Sequence, residues 1–134
     1  MKLESPLKKL AKLAAPTGLS DCDFSGTWRN ELGSTMELDV LNGLVNGTYA
    51  SSTSSGGTPV TGKIKGFAKA DLIAVVIRWN IPGASMTTWV GQAERKGGER
   101  LRTVWHLAHE TPDQDEPREL WTSILTGTDL FRRG

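Results

Sequence analysis

The sequence predicts an all-β fold: an eight-stranded antiparallel up-and-down β-barrel. Three observations carry this. Strand-like apolar runs recur from Phe24 onward with short breaks and no helical interval between them. The breaks are rich in Gly, Ser and Thr, and 15 of the 134 residues are Gly. Sequential antiparallel strands are stable without open edges when the sheet closes on itself.

The strands are expected at about 24–31, 35–41, 44–51, 58–66, 71–80, 85–94, 99–109 and 119–127. Leu41-Asn42-Gly43-Leu44 and Lys96-Gly97-Gly98-Glu99 are tight hairpin signals. Two breaks are longer. Ser51 to Thr58 is almost entirely Ser, Thr and Gly, whereas Glu110 to Arg118 is acidic and contains proline.

The first twenty residues are a different material. Leu3, Leu7, Leu10 and Leu13 recur at helical spacing, Lys8, Lys9 and Lys12 lie off that stripe, and Pro16 and Gly18 stop a helix. This N-terminal extension, 1–20, is expected to be helical or disordered. It reads either as a basic amphipathic segment that touches a membrane or partner, or as a frayed leader. Lysines interrupt its apolar stretch, so it makes a poor signal peptide. The barrel domain is assigned to 21–134.

Bulk properties exclude several classes. A net charge of +1 supplies no global field for nucleic acid. No run of 18 apolar residues occurs, so no integral membrane contact is expected. The single Cys22 forbids an intrachain disulfide.

The aromatic content points toward a ligand. There are five Trp (Trp28, Trp79, Trp89, Trp105 and Trp121) against three Phe and one Tyr. Alternation along a strand puts Trp28, Asn30, Leu32 and Ser34 on one side; the same rule groups Tyr49 with Ser51, Ser85 and Thr87 with Trp89, Trp105 with Leu107, and Ile77 with Trp79. Arg29, Glu31, Arg78, His106 and Ala108 take the opposite faces. Indoles and small polar groups therefore share the interior. Buried hydroxyls and amides are costly unless paired, so their coincidence over several strands suggests a ligand site. Trp28, near a barrel end, reads as a plug for the floor.

An enzyme needs a nucleophile with a base, or a metal cluster. The only histidines, His106 and His109, lie three apart on a strand and face opposite ways, and Asp129 has no evident catalytic partner. No catalytic or metal site is expected. A lipocalin-like carrier of another small ligand is the alternative, but it calls for an apolar lumen. A membrane-active or interaction protein led by the N-terminal segment is a third class.

The motifs resemble those of the avidin family, which includes streptavidin and binds biotin. Gly26-Thr27-Trp28-Arg29-Asn30-Glu31-Leu32-Gly33-Ser34 is similar to the family's opening GTWxNxLGS, and Gly47-Thr48-Tyr49 to its GxY. Thr87-Thr88-Trp89-Val90-Gly91-Gln92 resembles TTWxGQ, and Trp105-His106-Leu107 resembles WxL. Trp121 through Asp129 resembles the closing WxSxLxGxD. The resemblance spans about residues 24–131.

It implies a non-catalytic, high-affinity biotin binder with no cofactor. Asn30, Ser34 and Tyr49 would donate to the ureido carbonyl oxygen, an arrangement like an oxyanion hole without a reaction. Ser51 and Asp129 would accept from the ureido N–H groups, and Thr87 would face the thioether sulfur. Trp79, Trp89 and Trp105, with Leu32 and Leu107, would wall the rings and part of the tail. Ser85 would sit near the valerate carboxylate. The stretch Ser52 to Gly57 would be the lid; it lacks streptavidin's Asn near the carboxylate, for which Thr53 or Ser55 would substitute. Trp121 would cross an interface into a neighbour's site, which implies a homotetramer, with a dimer as the other family state. Relatives are commonly secreted, so a secreted or periplasmic location is also implied.

Overall fold

A computed structural model of the chain describes residues 2–14, 21–52, 57–94, 99–110 and 124–134. It contains one helix, α1 (Glu4–Ala11), and eight strands: β1 (Gly26–Asn30), β2 (Thr35–Leu41), β3 (Leu44–Ala50), β4 (Thr61–Lys69), β5 (Leu72–Trp79), β6 (Ser85–Glu94), β7 (Arg100–His109) and β8 (Ile124–Arg133). Each strand pairs antiparallel with the next, and β8 closes on β1 through Trp28↔Arg133 and Asn30↔Phe131. The predicted barrel is the fold.

Local chemistry sets the turns. Asn42 and Gly43 join β2 to β3 with φ of 52° and 76°, the left-handed pair that a two-residue hairpin needs to match strand twist. The 96–98 hairpin signal lies outside the described residues.

Two strands depart from expectation. β4 begins at Thr61 instead of 58 and runs on to Lys69. Pro59 has no N–H to give a ladder, so pairing starts beyond it. β8 continues past 127 to Arg133, because only those last residues reach β1 and close the barrel; residues 119–123 lie outside the described residues.

Alternation builds the core. Along β5, Ile73, Val75 and Ile77 are buried while Ala74, Val76 and Arg78 face out. Phe24, Trp28, Met36, Ile64 and Leu101 fill the closed end. Trp28 is fully buried there, and its indole N–H donates to the Phe24 carbonyl at 2.9 Å. The Arg133 guanidinium lies 4.1 Å from the centroid of the Trp28 ring. It also donates to the carbonyls of Ser25 (2.7 Å) and Asp23, and to Glu99 at 3.0 Å. Trp28 thus seals the floor, as its position near a strand end predicted. Cys22 packs partly against this cluster, and its thiol donates to Glu99 Oε1 at 3.6 Å.

Candidate functional site

Toward the other end, the barrel encloses a cavity of about 140 Å³. Trp79, Trp89 and Trp105 wall it, Ile77, Leu107 and Phe131 complete the apolar lining, and Tyr49, Thr87 and Asp129 bring polar groups. Neighbouring strands aim these side chains inward by register: Trp89 pairs with Trp105, and Thr87 with both Ile77 and Leu107.

Glycines make room for two of the indoles. Trp79 stands opposite Gly62, and Trp105 opposite Gly127. A Cβ on Gly127 would stand 2.7 Å from Trp105 Cε2, and one on Gly62 would stand 3.0 Å from Trp79 Cε3. Each ring therefore lies across bare backbone on the next strand.

The aromatic contacts are ordered. Tyr49 meets Trp79 edge-on at 5.3 Å between centroids, and Trp89 stacks on Phe131 at 6.3 Å and 25°. The Trp79 indole donates to Thr87 Oγ1 at 2.8 Å. That fixes the indole and leaves the Thr87 hydroxyl proton free to donate elsewhere. Trp89 Nε1 is buried with no hydrogen-bond partner among the described residues.

A polar cluster forms beside this cavity at the β1–β2 turn. Asn30 Oδ1 accepts from the backbone N–H of Leu32 (3.1 Å) and of Ser34 (2.9 Å), a local turn that only a short amide or carboxylate supports. The Asn30 amide reaches Tyr49 Oη at 3.4 Å and lies near enough to Asp129 to favour its ionised form. Ser34 lies near enough to Tyr49 to favour its ionised form, and its Oγ accepts from the Ser52 N–H at 2.9 Å. Asn30, Ser34, Tyr49 and Asp129 are thereby brought together.

The electrostatics follow from burial. Desolvation, then the negative Asp129, push the Tyr49 phenol up to about 12 against the opposing Ser34 hydrogen bond. Burial, then the nearby Glu31 carboxylate, raise Asp129 above the ordinary carboxylate range, while the Asn30 hydrogen bond works the other way.

The remaining predicted residues sit as follows. Ser51 follows β3 and its Oγ accepts from the Val60 N–H at 3.1 Å, tying the base of the β3–β4 connection. Ser85 opens β6 and donates to the Ala108 carbonyl at 3.1 Å, near the rim. Leu32 is a correction. Strand alternation stops at Asn30, so Leu32 falls in the turn and is 78% exposed, away from the cavity lining. Thr53 and Trp121 lie outside the described residues, as does most of the expected lid.

Phe131 was missed by sequence reasoning. It lies two residues beyond Asp129 and shares its face, but the eighth strand was expected to end before either. Among the described residues, no group of His, Cys, Asp and Glu could hold a metal.

Comparison with known proteins finds relatives of the whole barrel. The Avidin family model matches residues 19–134. Avidin-related protein 4/5 of Gallus gallus is 29% identical over 136 residues, covering 95% of this chain and 88% of the relative. The crystal structure of Xenavidin superposes with a TM-score of 0.72 at 28% identity, covering 86% of this chain and all of that one. The rhizavidin–biotin complex superposes with a TM-score of 0.64 at 28% identity, over 81% of this chain and 90% of the other. With its barrel, its motifs and nearly its whole length matched, this chain belongs to the avidin family.

Proposed function

We propose that this chain binds biotin inside the barrel, with the ureido ring at the polar cluster and the tryptophans as walls. The family is non-catalytic, and the chain is not an enzyme. The observation that carries the reading is a cavity with three indole walls whose lining includes Tyr49 and Asp129, with Asn30 and Ser34 clustered beside Tyr49. That cluster offers donors and an acceptor together, which is what a cyclic urea requires. A lipocalin-like carrier has no use for them.

Asn30, Ser34 and Tyr49 donate toward the ureido oxygen, and Asp129, with Ser51, accepts from its N–H groups. A Tyr49 phenol held neutral to about pH 12 keeps its proton for that role. Thr87, with its oxygen already accepting from Trp79, turns its own proton toward the sulfur. The unpartnered Trp89 indole is a buried donor of the kind that ligand binding relieves. The 140 Å³ cavity is smaller than the roughly 300–1,000 Å³ of a typical whole-ligand pocket. It suits the bicyclic head, with the valerate tail running out past Leu107 and Ser85.

Assembly belongs to the same proposal. The outer side of β3–β6 carries a groove of about 680 Å³ edged by Leu44, Phe67, Val76 and Val90, all exposed in the single chain. An apolar patch on a barrel wall suits a second copy, and Trp121 would then complete a neighbour's site in a homotetramer.

Calorimetric titration with biotin, followed in parallel by Trp fluorescence, tests the proposal. Saturable heat at one biotin per chain, with a change in indole emission, is expected. No heat and no emission change at micromolar protein would sink it.

A further inference from the structure

We propose that helix α1 is a peripheral anchor for anionic lipid bilayers. Its sequence and its exposure point the same way. At about 100° per residue, Leu3, Leu7 and Leu10 fall on one stripe, and Lys8 and Lys12 fall opposite. Lys9 flanks the stripe, where a long stem lies along apolar surface while its ammonium stays at the interface.

Nothing in the described chain covers the stripe. No residue of α1 is buried, and Leu3, Leu7, Leu10 and Leu13 are each half or more exposed. Pro6 does not oppose the helix, because it sits in the first turn, where backbone N–H groups have no intrahelical partner.

Charge selects the occupant. Residues 1–20 carry net +3, and residues 21–134 carry net −2. Attraction to an anionic surface therefore resides in the helical segment, and the barrel opposes it. A short helix with bare leucines on one side and lysines on the other matches a surface that offers acyl chains beneath anionic headgroups. An acidic protein partner would satisfy the lysines but leaves no reason for an uninterrupted leucine stripe.

Sedimentation of the full chain with vesicles tests this. One set is equimolar phosphatidylcholine and phosphatidylglycerol, and the other is phosphatidylcholine alone. The parent should partition to the anionic vesicles, weaken as salt rises, and ignore the neutral ones. Lys8→Gln/Lys9→Gln/Lys12→Gln should lower partitioning on the order of a hundredfold, from roughly fivefold per lysine near the surface. Leu7→Ser/Leu10→Ser should also release the protein, which an effect of charge alone would not produce. Both variants change exposed residues outside the barrel, so near-UV circular dichroism of the tryptophans should be unchanged. Absence of anionic binding, equal binding to the two vesicle types, or parental binding by either variant would overturn the proposal. Biotin titration of the same samples reports separately on the pocket.

Discussion

The indole of Trp105 lies flat across Gly127 on the neighbouring strand, so close that the glycine cannot gain even a methyl group without moving the ring. A wall of the cavity is thus set by what its neighbour lacks. Gly127→Ala should tilt Trp105 into the cavity. Overpacking of this kind costs about 1–3 kcal/mol, so biotin affinity should fall about tenfold or more in calorimetry, with an altered tryptophan near-UV spectrum. An unchanged affinity would mean that Trp105 does not wall the bound ligand.

The negative charge of Glu31 acts on Asp129 at the polar end, and this predicts a pH dependence. Asp129 accepts most strongly from a ureido N–H when ionised, and its pKa is raised by burial and by Glu31. Binding should therefore weaken as pH falls through that raised value. Glu31→Gln should move the loss to lower pH, and Asp129→Ala should cost about 1.5–3 kcal/mol at neutral pH, the scale of a charge-assisted bond. Stability has the opposite sign: a carboxyl whose folded pKa is raised stabilises the apo fold below its unfolded pKa, and that contribution is lost as pH rises through the folded one. Dissociation rates measured across acidic pH for parent and Glu31→Gln check the binding arm. A profile unmoved by Glu31→Gln would remove Glu31 from the mechanism.

Much of this was legible in the sequence, because strand alternation and turn chemistry are local. Asn42-Gly43 announces its hairpin, and Ile73, Val75 and Ile77 announce the inner face of β5. What failed was non-local. Whether β8 stops at 127 or reaches Arg133 depends on pairing with β1, a contact more than a hundred residues away in sequence, and Phe131 was lost with that error. Leu32 failed for a different reason. Parity holds only while the chain is extended, and the Asn30 side chain, by accepting from the Leu32 and Ser34 amides, folds the backbone into a turn one residue too early for Leu32 to face inward. The Arg133–Trp28 contact had no sequence signal, since it joins the two chain ends of the barrel.

Tyr49 gives a prediction at alkaline pH. Its folded pKa is raised to about 12 from 10.0, so the neutral phenol stabilises the fold below pH 10. That contribution should be lost as pH rises from about 10 through 12, because the unfolded chain ionises first. A two-unit gap corresponds to about 2–3 kcal/mol. Urea unfolding at pH 8 and pH 11.5 should show the parent losing much of this amount, while Tyr49→Phe, with no proton to lose, changes less. Equal losses in the two proteins would place the phenol outside the pH response.

The outer face of β3–β6 yields a test of assembly that leaves the pocket intact. Phe67 is 69% exposed and Val90 is 61% exposed in the single chain, and both edge the same apolar groove. Their strand neighbours point inward: Ile64 and Gly66 on β4, Trp89 and Gly91 on β6. Substituting an outward residue therefore changes the wall's exterior and not the cavity. If copies meet on this face, Phe67→Glu places a carboxylate in an apolar interface, where an unpaired charge is strongly disfavoured. Sedimentation velocity should show the parent as a tetramer and Phe67→Glu as a smaller species. The variant monomer should still take up biotin, with faster release if a neighbour's Trp121 closes each site. A parent that already sediments as a monomer would assign the groove to some other role, and an undiminished tetramer in Phe67→Glu would move the interface to a different wall of the barrel.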